Sequence, residues 1–255
     1  MPADEIAQPA PHDAPASQQR RFRRTGTTLI AAPTLGYLAA GSRSPAPVLA
    51  EPGGSASNAY KQALERLQAA NTGQLFLVTE VAAGVGANAA ALNLALTAVS
   101  EGLRTVLMDA DGSGGGVTQY LRTADGPGLA ELAAGTADLE RASRLLTVAG
   151  KRRLPVIPRG VAELGDTVTS TDIADAVDKI TEHSDLIFVL VPADADAAWL
   201  AALGAHADGT ILAIGGRESA KAIGEIVKQL IVVGAPVVGV LEYPGANRRK
   251  RRAGP

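Results

Sequence analysis

The sequence predicts a doubly wound, mostly parallel α/β sheet flanked by helices, and three observations predict it. Short apolar runs recur along the chain at Gln74 to Thr79, Arg104 to Asp109, Leu154 to Pro158, Leu186 to Val191, Thr210 to Ile214 and Val237 to Leu241. Stretches of helical length lie between several of them: an Ala-rich one from Asn88 to Glu101, then Asp172 to Glu182 and Ser219 to Val233. Strands spaced by helices of this length imply parallel βαβ units. The runs are nearly continuously apolar, as strands are when helices cover both faces of a sheet.

Each element has its own signals. Before the first run, AYKQALERLQAAN carries Tyr60, Leu64 and Leu67 at helical spacing, with Ser57 or Asn58 placed to cap the start. Gly102 joins the Ala-rich helix to the second strand, and Gly234 stops the last helix by allowing a left-handed turn. Residues 1–56 are rich in Ala, Pro, Ser, Gln and Gly and poor in large apolar side chains, so burial cannot offset their ordering entropy. The expected division is a disordered tail or linker over 1–56, one domain over 57–245 and a basic tail over 246–255. No repeat occurs at solenoid periods.

Composition narrows the chemistry. With 255 residues and 46% hydrophobic content the chain can close one sizeable core, and its formal net charge of −2 gives no global attraction to nucleic acid or anionic lipid. It has no cysteine, which excludes disulfides, thiolate zinc sites and a cysteine nucleophile. His12, His183 and His206 are scattered, which argues against a histidine metal site. Basic residues cluster at both ends, at Arg20, Arg21, Arg23 and Arg24 and in the run Arg248 to Arg252. Next to the first cluster, TTLIAAPTLGYLAA (Thr27 to Ala40) is apolar but broken by Pro33 and Gly36. That neighbourhood reads either as a tail with a sticky patch or as a docking segment for a partner or an anionic membrane surface. No run reaches the roughly 18 apolar residues of a membrane span, and the start lacks a signal peptide's blocks, so a cytoplasmic location is expected.

The chemically informative segment is TEVAAGVGANAAALNL, Thr79 to Leu94. In a working phosphate loop, glycines let backbone N–H groups approach the phosphates, a Lys neutralises the terminal charge and a Ser/Thr hydroxyl binds Mg²⁺. Here Gly84 and Gly86 are present. The strand before the loop and the helix with Asn93 after it place the Lys position at Ala87 and the Ser/Thr position at Asn88.

These segments resemble the deviant-Walker-A P-loop NTPases of the ParA and MinD class, and within them the bacterial tyrosine autokinases of capsule and exopolysaccharide assembly. The resemblance runs from Asn58 to Tyr243 and rests on ordered pieces. AYKQALERLQ resembles the helix before the loop, LFLVTEVAAGVGANAAALNLAL the loop and its helix, and GLRTVLMDAD the second Walker-type motif. GLAELAAGTADLERA and LPVIPRG resemble the linking segments of the kinase branch, SDLIFVLVPA the Walker B strand, and HADGTILAIGGRESAKAI the strand and helix after it.

The departures fall where the chemistry would be. Ala82 stands at the class-specific lysine and Ala87 at the universal one, and Leu190 matches the metal-ordering Asp of Walker B. Asp109 and Asp111 survive from the motif that in the family helps hold Mg²⁺, yet its following Arg is matched by Ser113. Tyr243 takes the place of an Asn near the base. The tail GANRRKRRAGP has no tyrosine to serve as its own substrate, and the oligomer motif on the leading helix is thinned to Asn58, Lys61 and Leu64. One lost charge-stabilising group typically costs about 3 to 4 kcal/mol of barrier. Several losses together leave little for phosphoryl transfer, which depends on positioning and electrostatics.

The resemblance therefore implies a catalytically degenerate member with a vestigial loop at Gly84, Val85, Gly86, Ala87, Asn88 and Ala89, and with Asp109 and Asp111 as vestigial acids. No cofactor is expected, with ATP and Mg²⁺ bound only if the site is retained and Asp109 the metal ligand in that case. Its partner by resemblance is a polysaccharide co-polymerase, the chain-length-determining membrane protein. The expected role is a cytoplasmic scaffold or regulator of exopolysaccharide assembly, peripheral to the inner membrane, able to join homo- or hetero-oligomers and not binding nucleic acid.

Other readings stay open at this level. An active or slow ATPase or tyrosine kinase would use Asp109 and Asp111, and a ParA/MinD-like spatial organiser would act without hydrolysis. GVGANA also fits the G-x-G-x-x-A dinucleotide fingerprint, with Asp109 about 20 residues on, but Glu80 to Ala83 lengthen its loop. The short-chain dehydrogenase pattern fails as well, because Glu80 replaces its first Gly and no Tyr has Lys four positions on. Asp109 and Asp111 equally fit a plain turn, Asp194 and Asp196 a surface loop or helix cap, and Trp199 core packing or an interface.

Overall fold

The computed structural model describes residues 34–37, 46–70, 73–111, 116–122, 126–148, 152–161, 169–195, 197–215 and 217–243. Arg20 to Arg24, Ser113, Asp196 and Arg248 to Arg252 lie outside the described residues. Strands are β1 (Thr34–Tyr37), β2 (Leu75–Glu80), β3 (Thr105–Asp109), β4 (Arg144–Thr147), β5 (Arg153–Ile157), β6 (Leu186–Leu190), β7 (Gly209–Ile214) and β8 (Val237–Glu242). Helices are α1 (Pro47–Ala50), α2 (Ser55–Ala70), α3 (Ala87–Ser100), α4 (Val117–Tyr120), α5 (Leu129–Ala133), α6 (Leu139–Ala142), α7 (Ser170–Thr181), α8 (Ala197–Gly204) and α9 (Ala220–Val232).

The strands form one sheet in the order β1-β8-β7-β2-β6-β3-β5-β4, parallel except for the edge pair β4–β5. The expected doubly wound parallel sheet is therefore present. Its six sequence-predicted strands appear with no end moved by more than one residue. The stretch read as tail contributes two elements: β1 pairs in parallel with β8, and Val48 of α1 is 7% exposed in the core. Val48 and Leu49 are an isolated apolar pair in a small-residue segment, so the sequence has no periodicity there to announce them.

Both sheet faces are covered, which explains the unbroken apolar strands. On one face Phe76, Val78, Phe188 and Leu190 pack with Leu92 and Leu96 of α3 and Tyr60, Leu64 and Leu67 of α2. On the other Leu75, Leu77, Ile187, Val189 and Met108 pack with Ile173, Val177 and Ile180 of α7 and Leu203 of α8. Trp199 is partly buried against this second cluster. Alanines make α3 thin enough to lie between the sheet and α2, and almost its whole circumference is buried. Its polar core groups, Asn93 and Thr97, are satisfied within this layer: Asn93 Nδ2 donates to the Ala89 carbonyl at 2.9 Å and Thr97 Oγ1 to the Asn93 carbonyl at 2.7 Å.

The three remnants of the oligomer motif have internal duties. Leu64 is 1% exposed. Lys61 pairs with Glu101 at 2.9 Å, and Asn58 donates to the Gly53 carbonyl at 3.0 Å.

The chain runs from β2 to β3 on one side, then returns across β2 from β6 to β7. In open α/β sheets ligands sit where the strand order reverses, outside the carboxyl ends of the strands. Here that place is the loop from Glu80 to α3.

Candidate functional site

The loop after β2 bends back over the strand end with two glycines in the left-handed region. Gly84 has φ +83° and Gly86 φ +145°, conformations that side chains rarely adopt. Gly86 is doubly constrained, because a Cβ there would lie 3.1 Å from the Tyr243 ring. The turn aims successive N–H groups inward, the arrangement that binds an anion in a phosphate loop.

In this protein the anion is the chain's own. The Glu80 carboxylate, 9% exposed, receives the Gly84 N–H on Oε1 at 2.6 Å and the Gly86 and Ala87 N–H groups on Oε2 at 2.7 and 3.0 Å. Ala87 opens α3, so the carboxylate also lies at the positive end of the helix dipole. In the sequence Glu80 stands out only as a misfit to dehydrogenase patterns. The available signal was an acid at the last position of the strand, four residues before the first glycine.

The remaining loop positions supply no cation. Ala87 is 2% exposed in the core, Ala82 is exposed, and Asn88 is an exposed residue on the first turn of α3. Tyr243 lies against the loop, and its hydroxyl is 2.9 Å from that of Tyr60, which also lies 3.3 Å from the Ala89 carbonyl. Burial raises the Tyr60 hydroxyl from 10.0 to about 12, against the lowering effect of its hydrogen bonds. Burial, with the neighbouring Tyr60 and Glu80, holds Tyr243 well above its ordinary value.

At the end of β3, Asp109 is fully buried and likewise turned onto backbone. Its Oδ1 accepts the Asp111 N–H at 2.9 Å and its Oδ2 the Thr118 N–H at 2.6 Å. Thr118 Oγ1 in turn accepts the Arg159 N–H at 3.1 Å, so the ends of β3 and β5 are tied through this carboxylate. A Cβ at Gly116 would fall 2.3 Å from Asp109 Oδ1, so only glycine lets the chain pass so close. Burial pushes the Asp109 carboxyl above its ordinary 3.8, outweighing the hydrogen bonds that lower it. Asp111 is 7% exposed.

Leu190 pairs in register with Val78 on one side and Asp109 on the other, and is 1% exposed. The position matched to a metal-ordering Asp is thus a core side chain between the two loops. No group of three or more His, Cys, Asp or Glu residues able to hold a metal occurs among the described residues.

These donors do not fit a magnesium nucleotide. The loop N–H groups that would meet a phosphate bind Glu80, no lysine stands at Ala82 or Ala87, and Asp109 is spent on its own backbone.

Solved structures of known proteins share this architecture. The chimerical protein CapA2B2 superposes with a TM-score of 0.72 at 17% identity, covering 83% of this chain and 94% of that one. The kinase domain of the Escherichia coli tyrosine kinase ETK gives 0.70 at 18% identity, covering 84% and 91%. The chain has the fold of bacterial tyrosine kinase domains. The MinD cell division protein of Aquifex aeolicus gives 0.53 at 16% identity over 66% of this chain and 68% of that one, which extends the likeness to the wider P-loop NTPase fold. The sequence matches no protein-family model and no curated protein. Among the described residues no helix is long and apolar enough to cross a membrane.

Proposed function

We propose that this chain is a catalytically degenerate relative of the tyrosine autokinases that acts as a cytoplasmic scaffold or regulator of exopolysaccharide assembly, docked on a membrane co-polymerase. The observation that carries the loss of catalysis is the Glu80 carboxylate on the loop N–H groups, beside a loop with no lysine. The fold of a tyrosine kinase domain is kept while the groups that grip and activate a nucleotide are replaced by groups that hold the chain together. A domain in this state can still occupy the place of an active one under a shared partner. Arg20, Arg21, Arg23 and Arg24, with Arg248 to Arg252, supply charge for an anionic membrane surface or an acidic partner face.

The test pairs turnover with docking. The purified full chain is expected to show no Mg²⁺-dependent ATP hydrolysis or self-phosphorylation above background. It is also expected to co-sediment with vesicles carrying the co-polymerase equally well with and without ATP. Turnover abolished by Asp109→Ala would overturn the scaffold reading, as would capture that requires ATP. Deleting residues 1–45 is expected to weaken the co-sedimentation.

A further inference from the structure

We propose that Glu80 is the resident anion of the loop: its carboxylate takes the place of a nucleotide phosphate and holds the loop in a single, nucleotide-independent conformation. The inference deepens the proposed loss of nucleotide chemistry and rests on it.

The geometry is that of a filled anion site. One carboxylate receives N–H groups from three residues of a glycine-rich turn that runs straight into a 14-residue helix. These are the donors a phosphate oxygen would use in a loop of this kind. Hydrogen bonds to an ionised acceptor are roughly twice as strong as neutral ones, so three converging on one group form a strong local tie.

Charge makes the replacement self-consistent. A loop without lysine offers only the partial positive charge of its N–H groups and helix end, about half an elementary charge. One carboxylate is enough to neutralise it. A phosphate arriving with its own negative charge would have to displace Glu80 or sit beside it, with no cation at Ala82 or Ala87 to favour the exchange. The Tyr243 ring lies against Gly86 and is itself tied to Tyr60. In a working loop phosphate contacts come and go with nucleotide; here the carboxylate that makes them is tethered to the strand and stays beside the loop whether or not nucleotide is present.

Amide hydrogen exchange at Gly84, Gly86 and Ala87 tests this in the full chain, with inorganic pyrophosphate as the probe. The natural protein is expected to protect these amides without any ligand and to show no change with millimolar pyrophosphate. Glu80→Gln keeps the size of the side chain and is expected to lower the protection at least about tenfold. In titrations, Glu80→Ser combined with Ala87→Lys is expected to bind pyrophosphate at least about 100-fold tighter than Ala87→Lys alone. Equal affinity of those two variants would overturn the inference. So would pyrophosphate binding at these amides in the natural protein, or unchanged protection in Glu80→Gln. None of these results touches the docking assay, so failure of the resident anion and failure of the scaffold are read separately.

Discussion

Two loops at the carboxyl edge of the sheet use the same device to different degrees. After β2, Glu80 gathers N–H groups from a glycine turn that stays near the surface, with Gly84 exposed. After β3, Asp109 gathers the N–H groups of Asp111 and Thr118 in full burial, and Thr118 passes the tie on to β5. The difference is one of solvent: water can replace Glu80 at its N–H groups far more easily than it can replace Asp109. Carboxylates at strand ends, where a nucleotide fold usually places its chemistry, serve the chain itself at both sites.

The largest expected effect separates the two loops directly. Asp109→Ala removes the buried carboxylate that accepts the Asp111 and Thr118 N–H groups and is expected to cost about 3 kcal/mol, whereas Glu80→Ala, with water at hand, is expected to cost about 1 to 2. Chemical denaturation of the two variants checks the ranking, and equal losses would erase the distinction.

An intermediate effect comes from the tyrosine pair that backs the first loop. Tyr60 ionises near 10.0 when unfolded and near 12 when folded. The folded state therefore keeps its proton longer, and this contribution is fully present below pH 10 and lost as pH rises to 12. The loss is about 2 to 3 kcal/mol, and Tyr60→Phe should flatten that part of the stability curve in alkaline thermal melts.

The smallest effects lie in the glycines. Gly116→Ala drives a Cβ into the Asp109 carboxylate and should cost about 2 kcal/mol, more than Gly84→Ala, where the space is open and only the backbone at φ +83° is strained, at about 1 kcal/mol. Thermal melts of the two variants in the reverse order would show that the β3 loop relaxes where the β2 loop does not.

Much of this was legible in the residues. The runs LFLVT and LIFVL are apolar at every position because both faces of β2 and β6 are buried, a fact that burial writes directly into the chain. The glycine turn at Gly84 and Gly86 and the stop at Gly234, φ +87°, were equally readable, since few residues tolerate those angles. The short edge strands β1 and β4 were not, because an edge strand buries too little to need a pattern. The role of Glu80 was hidden for another reason: whether a strand-end carboxylate points to water or into its own loop depends on backbone angles six residues on.

By itself, then, the sequence determined the sheet, the helices that cover it and the absence of lysine from the loop, because burial and backbone freedom act position by position. Only the tertiary structure decided what stands in the lysine's absence. Glu80 meets its N–H groups through the bend of the turn, and Tyr60 meets Tyr243 across 183 residues. Such pairings depend on where segments end up in space, which no local pattern of residue types encodes.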